Sequence, residues 1–219
     1  MSRTRWWWIR HAPVTENNGT IYGNADLNCD CSDFRAFSAL ANRLPEQAIW
    51  VTTPLLRTRQ TAEALCRQKT FLPEPSFNEI PEFQEQSFGD WQGMTHKELE
   101  EKRNKIWHRF WLAPASEAPP GGESFVDLMQ RADKAIDRLN HDHQGQDIVV
   151  IAHGGTIRAA VAKALDLSPE KALGLAIDNL SLTRLDYYTP ENDPFTDQSS
   201  WGVGYLNAAP LAFVINQEP

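Results

Sequence analysis

Three uninterrupted apolar runs punctuate this chain, and each gives way abruptly to polar residues at its C-terminal end. Trp6-Trp7-Trp8-Ile9 leads into Arg10-His11, Ala48-Ile49-Trp50-Val51 into Thr52-Thr53-Pro54, and Ile148-Val149-Val150-Ile151-Ala152 into His153-Gly154-Gly155. Short apolar runs without alternation predict strands buried on both faces. Leu180–Tyr188 alternates apolar and polar side chains, which predicts a strand at a sheet edge. The segment from about 201 supplies one more short strand.

Between these runs the apolar spacing lengthens to that of helices. Residues 12–31, rich in Asn, Gly, Asp and Pro, read as a loop, and a helix follows over about 32–44, ending before Pro45. Thr53 and Pro54 supply an N-cap and a first-turn proline for a helix to about 68, with Leu55, Ala62, Leu65 and Cys66 on its stripe. Residues 70–93 read as strand plus loop, and 95–111 as a helix carrying Trp107 and Trp111 four apart. Ala118-Pro119-Pro120-Gly121-Gly122 is a break, after which Ser124 and Asp127 cap a helix. There Phe125, Leu128, Met129, Ala132, Ile136 and Leu139 recur at helical spacing. Asp147 opens the third apolar strand, and Gly154-Gly155 leads into a helix to about 165.

Helices between buried strands predict an α/β fold, a three-layer α/β/α sandwich with a mostly parallel central sheet. No repeat or linker divides the chain, so residues 1–219 read as one domain, with 70–123 as an insertion covering the active site. A formal net charge of −8 argues against a general nucleic-acid or anionic-membrane binder. It leaves room for a small anionic substrate in a locally cationic cleft. The N-terminal run Trp6–Ile9 is too short for a signal peptide and no later stretch is long enough to span a bilayer, so a soluble, cytoplasmic protein is expected. Cys29, Cys31 and Cys66 are an odd count without a metal-ligand pattern, and read as reduced thiols.

The strand ends carry the chemistry. In open α/β sheets, ligands bind in the crevice beyond the strand C-termini. His11, His153, Arg10 and Arg57 would converge there, beside helix N-termini whose free N–H groups favour anions. Singly, each is commonplace: a histidine after a strand is usually structural, and an arginine in a first helical turn is usually solvated. Two such histidines flanked by arginines are much harder to explain as scaffolding. Together they predict a phosphate pocket containing a potential nucleophile.

These same residues resemble a known family. Ile9-Arg10-His11-Ala12 resembles the Arg-His-Gly signature of the histidine phosphatase superfamily, which includes the cofactor-dependent phosphoglycerate mutases. Asn17 falls where that family often has an asparagine. The run Thr53–Ala62 looks like its Ser-Pro-Leu-x-Arg-x-x-Gln-Thr-Ala helix, and Glu85–Gly93 like its Glu-x-x-Phe-Gly-x-Trp-Glu-Gly segment. Gly121-Gly122-Glu123-Ser124 resembles a helix start, Ile151–Gly155 the second-histidine motif, and Asn179-Leu180-Ser181 a later strand. The matches fall in family order. Ala12, Pro13, Val14 and Gln92 depart from the pattern on the substrate-reading side.

The resemblance implies a phosphoglycerate mutase-like fold and metal-independent phosphomonoester hydrolysis through a phosphohistidine on His11. Planar guanidinium groups of Arg10 and Arg57 suit a tetrahedral dianion, joined by His153, if protonated, and by the Gly154 amide. His11 must attack as the neutral imidazole, a form that nearby arginines favour and a backbone carbonyl would orient. Glu85 is the expected general acid and base, although Glu79, Glu82 and Glu85 could equally form a solvated acidic face. Asn17 would orient the ester oxygen. No cofactor or metal is called for, and the expected partner is a small phosphorylated metabolite. The oligomeric state is left open, a dimer being one option.

The compact chain is similar to α-ribazole phosphatases of cobalamin assembly, with a phosphohistidine-protein phosphatase as another option. A phosphoglycerate mutase-type phosphotransferase would resemble a longer chain. A non-catalytic phospho-ligand binding module would usually lack His11 or Glu85. A histidine-ligated metalloenzyme would set its cation against arginines.

Overall fold

The computed structural model describes residues 2–71, 74–103, 111–189 and 200–211. A six-stranded sheet runs in the order β3 (Phe77–Glu79), β2 (Ile49–Thr52), β4 (Asp147–Ala152), β1 (Ser2–Arg10), β5 (Leu182–Thr189) and β6 (Ser200–Ala208). The first four are parallel, while β5 runs antiparallel to β1 and β6 antiparallel to β5. The sheet is therefore mixed, with a parallel half that carries the three apolar runs.

Successive strand side chains point to opposite faces, and β1 shows what an unbroken apolar run achieves. Trp6 and Trp8 enter one core, with Ile148, Val150 and the helices α4 (Phe125–Asp142) and α5 (Gly154–Leu165). Trp7 and Ile9 enter the other, with Val149, Ile151, α1 (Phe34–Ala41) and α2 (Leu56–Cys66). Both faces are covered, giving the expected three layers. Trp6 and Trp8 stack with centroids 5.3 Å apart, and Phe83 meets both edge-on. Two of the indoles find acceptors: Trp6 Nε1 donates to Asn140 at 2.9 Å and Trp7 Nε1 to Asp147 at 2.7 Å. The first three tryptophans are core, as their strand context predicts.

Helix α4 begins as expected, with Ser124 and Asp127 capping one another's backbone N–H groups. Elsewhere the structure corrects the sequence reading. Helix α2 starts at Leu56 with Leu55 as its cap, because the Thr53 hydroxyl is engaged elsewhere. The expected helix over 95–111 is only α3 (His96–Lys102); Arg103 is extended, and residues 104–110, Trp107 and His108 among them, lie outside the described residues. Strand β5 is not an edge: it lies between β1 and β6. Alternation reports which faces are buried, and says nothing about whether a lateral neighbour exists. Residues 74–93 give one short strand and two 3-10 turns, Pro81–Phe83 and Gly89–Trp91. A short helix, α6 (Pro169–Ala172), completes the α5 side. Among the described residues, no helix is long and apolar enough to cross a membrane.

The ring stack predicts where stability is concentrated. Trp8→Ala should cost about 3–5 kcal/mol, whereas Val203→Ala on half-exposed β6 should stay within about 0.5 kcal/mol. Urea denaturation of the two variants checks this.

Candidate active site

Strands β1 and β4 pair in parallel with Arg10 opposite Ala152. The next residue on each strand is a histidine, and the His11 N–H continues the ladder to the Ala152 carbonyl at 3.0 Å. This register sets the two imidazoles side by side, with centroids 5.2 Å apart. His11 is 1% exposed and His153 fully buried. His11 Nδ1 lies 2.7 Å from the Ala12 carbonyl oxygen. A carbonyl only accepts, so Nδ1 carries the proton and Nε2 the lone pair. His153 Nε2 meets the Thr53 hydroxyl at 3.0 Å, while its Nδ1 is buried without a partner among the described residues.

The neighbouring turn is built to hold this peptide. Leu180 adopts a left-handed conformation, φ 57°, at a cost of about 1–3 kcal/mol for such a residue. In return its N–H reaches the Arg10 carbonyl at 3.0 Å, and the Asn179 amide reaches the His11 carbonyl at 2.8 Å. Residues 179–181 are thus a clamp ahead of β5, not part of the strand the resemblance implied.

Both arginines are fixed by main-chain carbonyls. Arg57 is fully buried, donating from Nη1 to Ala25 at 2.6 Å and from Nη2 to Gly23 at 2.7 Å. Arg10 Nη1 donates to the Ile177 carbonyl at 2.6 Å. In each, Nε is buried and lacks an acceptor among the described residues. Such a group costs about 1–3 kcal/mol unless an acceptor meets it. The two arginine Nε–H groups share this unmet need, and His153 Nδ1 joins them when the Thr53 hydroxyl donates to its Nε2.

Glu85 closes the group from another segment. Its carboxylate accepts the Gly155 N–H at the start of α5, at 3.2 Å, and the Gln86 N–H at 3.0 Å. A Cβ at residue 155 would collide with the Glu85 carboxylate, which explains the glycine. Glu79 is exposed and Glu82 pairs with Arg138, so the three glutamates do not form one acidic face. Arg131 on α4 steadies the segment, donating to the Glu82 carbonyl at 2.6 Å and the Glu85 carbonyl at 3.3 Å while bridging to Glu123.

Sequence reasoning missed Arg131 and Arg158. Arg158 sits one turn after Gly154, and its Nη1 comes 3.2 Å from where a Gly154 Cβ would lie. It donates Nε to the Leu175 carbonyl and rests on the Trp111 ring. The i, i+4 spacing that returns it over the helix start was readable. Gln92, expected near substrate, instead accepts the Phe88 and Asn24 N–H groups and ties the Glu85 segment to the Arg57 loop. Asn17 donates its amide to the Thr20 carbonyl in its own turn, and no hydrogen bond brings it to the histidines.

Burial, then Arg57 and Arg10, hold the His11 pKa well below the usual histidine value, against the Ala12 hydrogen bond that raises it. Burial and Arg57 do the same to His153, helped by His11, Arg10 and Arg131. Burial and the neighbouring charges thus disfavour the protonated form of His153 that would add a further charge-assisted bond. The Glu85 charge offsets part of what burial takes from Arg57 and Arg158. The result is a permanently cationic pocket around two neutral imidazoles, suited to an oxyanion and a nucleophile together.

Comparison with known proteins bears on this arrangement. The profile of the histidine phosphatase superfamily (branch 1) matches residues 6–194. A metal-independent phosphoserine phosphatase of Arabidopsis thaliana is 30% identical over 155 residues, 69% of this chain and 64% of that protein. The chain spans half of another relative, a bifunctional protein of Mycobacterium tuberculosis. A glucosyl-3-phosphoglycerate phosphatase of Mycolicibacterium vanbaalenii is 33% identical over 78% of this chain and 75% of that one. An adenosylcobalamin/α-ribazole phosphatase of Escherichia coli is 26% identical over 83% of this chain and 89% of that one. Among solved structures, mycobacterial hydrolase 2 superposes with a TM-score of 0.77 at 26% identity, over 95% of this chain and 92% of its own.

Two depressed histidines have a stability consequence. The unfolded chain takes up their protons near pH 6.5 while the folded chain refuses them, so their contribution is complete above about pH 6.5 and is lost as pH falls. Unfolding free energies at pH 5 and 7 should diverge less in His153→Gln than in wild type, by up to about 1.4 kcal/mol per pH unit below 6.5.

Proposed function

The chain belongs to the histidine phosphatase superfamily, and from that membership we propose that it hydrolyses small phosphate monoesters through a phosphohistidine on His11. The observation that carries this reading is the set of unmet donors. Arg10 Nε and Arg57 Nε are buried without acceptors among the described residues, and the unpartnered His153 Nδ1 belongs to the ring beside His11. Phosphoryl oxygens would supply the arginines with acceptors, and His153 with one once it carries a proton there. Donors held in place before reaction favour the transition state, where charge on those oxygens grows.

In this mechanism His11 Nε2 attacks phosphorus while the ester oxygen leaves. Glu85, in its acid form, gives that oxygen a proton. As the carboxylate it then takes a proton from water, whose oxygen attacks the phosphohistidine; inorganic phosphate departs and His11 is restored. The Gly154 N–H, at the start of α5, adds a donor and the positive helix end. An incoming dianion reverses the local field and lets His153 gain a proton, restoring the third cation. Asn17 orients the ester oxygen once its amide turns from Thr20. Within a single domain, the segment that follows β3 brings Glu85 to the start of α5; because Phe77–Glu79 belongs to the sheet, the insertion is shorter than 70–123.

No metal enters this scheme, and Arg10 and Arg57 would oppose one bound by the two histidines. Relatives named for phosphoserine, glucosyl-3-phosphoglycerate and α-ribazole support a small phosphorylated metabolite as substrate, with α-ribazole phosphate among the first to try. Three thiols without a disulfide suit the cytoplasm.

Hydrolysis of an aryl phosphate and an alkyl phosphate in excess chelator tests the proposal. His11→Ala should lower kcat by about 10³-fold or more on both. Glu85→Gln should lower it by about 10²–10⁴-fold on the alkyl ester and much less on the aryl ester, whose leaving group needs little help. Unchanged turnover in His11→Ala overturns the reading.

A further inference from the structure

Cys29 and Cys31 are absorbed by nothing in this mechanism, yet they touch its supports. Their sulfurs lie 3.6 Å apart, and both residues are half-buried, so the pair is within reach of solvent. The Cys29 thiol donates to the Arg57 carbonyl at 3.3 Å and lies 3.6 Å from the Thr61 hydroxyl. Thr61 in turn donates to the Arg57 carbonyl at 2.7 Å and accepts the Ala12 N–H at 2.9 Å. Ala12 is the residue whose carbonyl orients His11. The Asp30 N–H, between the two cysteines, donates to the Pro13 carbonyl at 2.8 Å. The same loop supplies the Gly23 and Ala25 carbonyls that hold the Arg57 guanidinium. The Cys29 thiol thus rests against the Arg57 carbonyl and, through Thr61, one step from the Ala12 N–H, while the Cys31 thiol meets the Gln60 carbonyl at 3.7 Å.

We propose that Cys29 and Cys31 form a modification site, a dithiol that hydrogen peroxide closes to a disulfide, and that closure loosens Arg57 and the Ala12 peptide. The Cys31 thiol, donating to Cys29, draws the Cys29 pKa below the usual thiol value, with Thr61 and the Arg57 charge assisting against burial. Cys31 is pushed up in exchange. Cys29 as thiolate attacks one peroxide oxygen, giving a sulfenic acid and, after proton uptake, water. The Cys31 sulfur then attacks the sulfenyl sulfur, the S–O bond breaks, and the Cys31 proton leaves with the hydroxyl as a second water. Two thiols are oxidised and one peroxide is reduced, so the step balances. Cys66, pushed up to about 11 by burial first, is the slower thiol and has no sulfur partner among the described residues.

Closure brings the sulfurs to about 2.05 Å, far inside their present separation. Closure keeps Cys29 from ever donating to the Arg57 carbonyl, which the thiolate does only when it regains its proton, and draws its sulfur toward Cys31 and so shifts it relative to Thr61. Displacements of about 1 Å in positioning groups can cost about 10²-fold in rate, so the effect is read in turnover.

The intact protein is treated with hydrogen peroxide, quenched with catalase, and followed by intact mass and aryl phosphate hydrolysis. Wild type and Cys66→Ser should each lose about 2 Da and about tenfold or more in kcat/KM, both restored by dithiothreitol. Cys31→Ser should keep its turnover before peroxide and show no such mass loss. Absence of the disulfide between residues 29 and 31, or a disulfide form with unchanged turnover, overturns the proposal. The rate effect rests on the phosphatase reading, while the mass does not. A reduced protein without hydrolysis counts against that reading, and the mass still decides the dithiol.

Discussion

The register between β1 and β4 is the constraint on which the site depends. Parallel pairing sets Arg10 beside Ala152, so the residues that follow, His11 and His153, must emerge side by side. A slip of one residue would turn every side chain of β1 to the opposite face. Trp6 and Trp8 would exchange cores with Trp7 and Ile9, which is why the register is costly to lose. The tryptophan-rich core and the geometry of the candidate site are therefore one design: the same packing that stabilises the sheet fixes the imidazoles.

The second determinant is the balance between burial and charge. Arg57 is fully buried yet, among the described residues, has no carboxylate in a salt bridge with it; two carbonyls and the charges of Glu85 and Asp26 sustain it. A closer acid would neutralise the guanidinium and reduce what it can offer a phosphate. Burial first, and then the same guanidinium charge, hold both histidines neutral. For His11 that is the nucleophilic form, with the lone pair on Nε2 because Nδ1 is tied to Ala12. In the proposed mechanism His153 waits in that form until a dianion changes the field. The pocket thus gives up stability in unmet donors and gains readiness for an oxyanion.

Much of this was legible in the sequence because apolar runs end sharply at the functional residues. His11, Thr53 and His153 stand just past strands that periodicity alone identifies, and Arg57 one turn further on. The capping pair Ser124 and Asp127 was equally readable, since it uses local bonds. What escaped depends on contacts between distant segments. Arg131 reaches the carbonyls of Glu82 and Glu85 across about fifty positions of chain, Gln92 joins two loops, and Leu180 takes a backbone conformation that its side chain disfavours. The edge assignment for β5 failed because burial alternation does not encode lateral pairing. The Thr53 cap failed because its hydroxyl serves His153.

The central claim is that one buried imidazole carries the phosphoryl group between ester and water. The most direct measurement is rapid mixing with a good phosphate ester, an alkaline quench within the first turnover, and peptide mass analysis. The account predicts an added phosphoryl group on the peptide containing His11, stable in base and lost in acid, that decays at the rate of steady-state turnover. Phosphate release without any such adduct, or an adduct only on another residue, would contradict it.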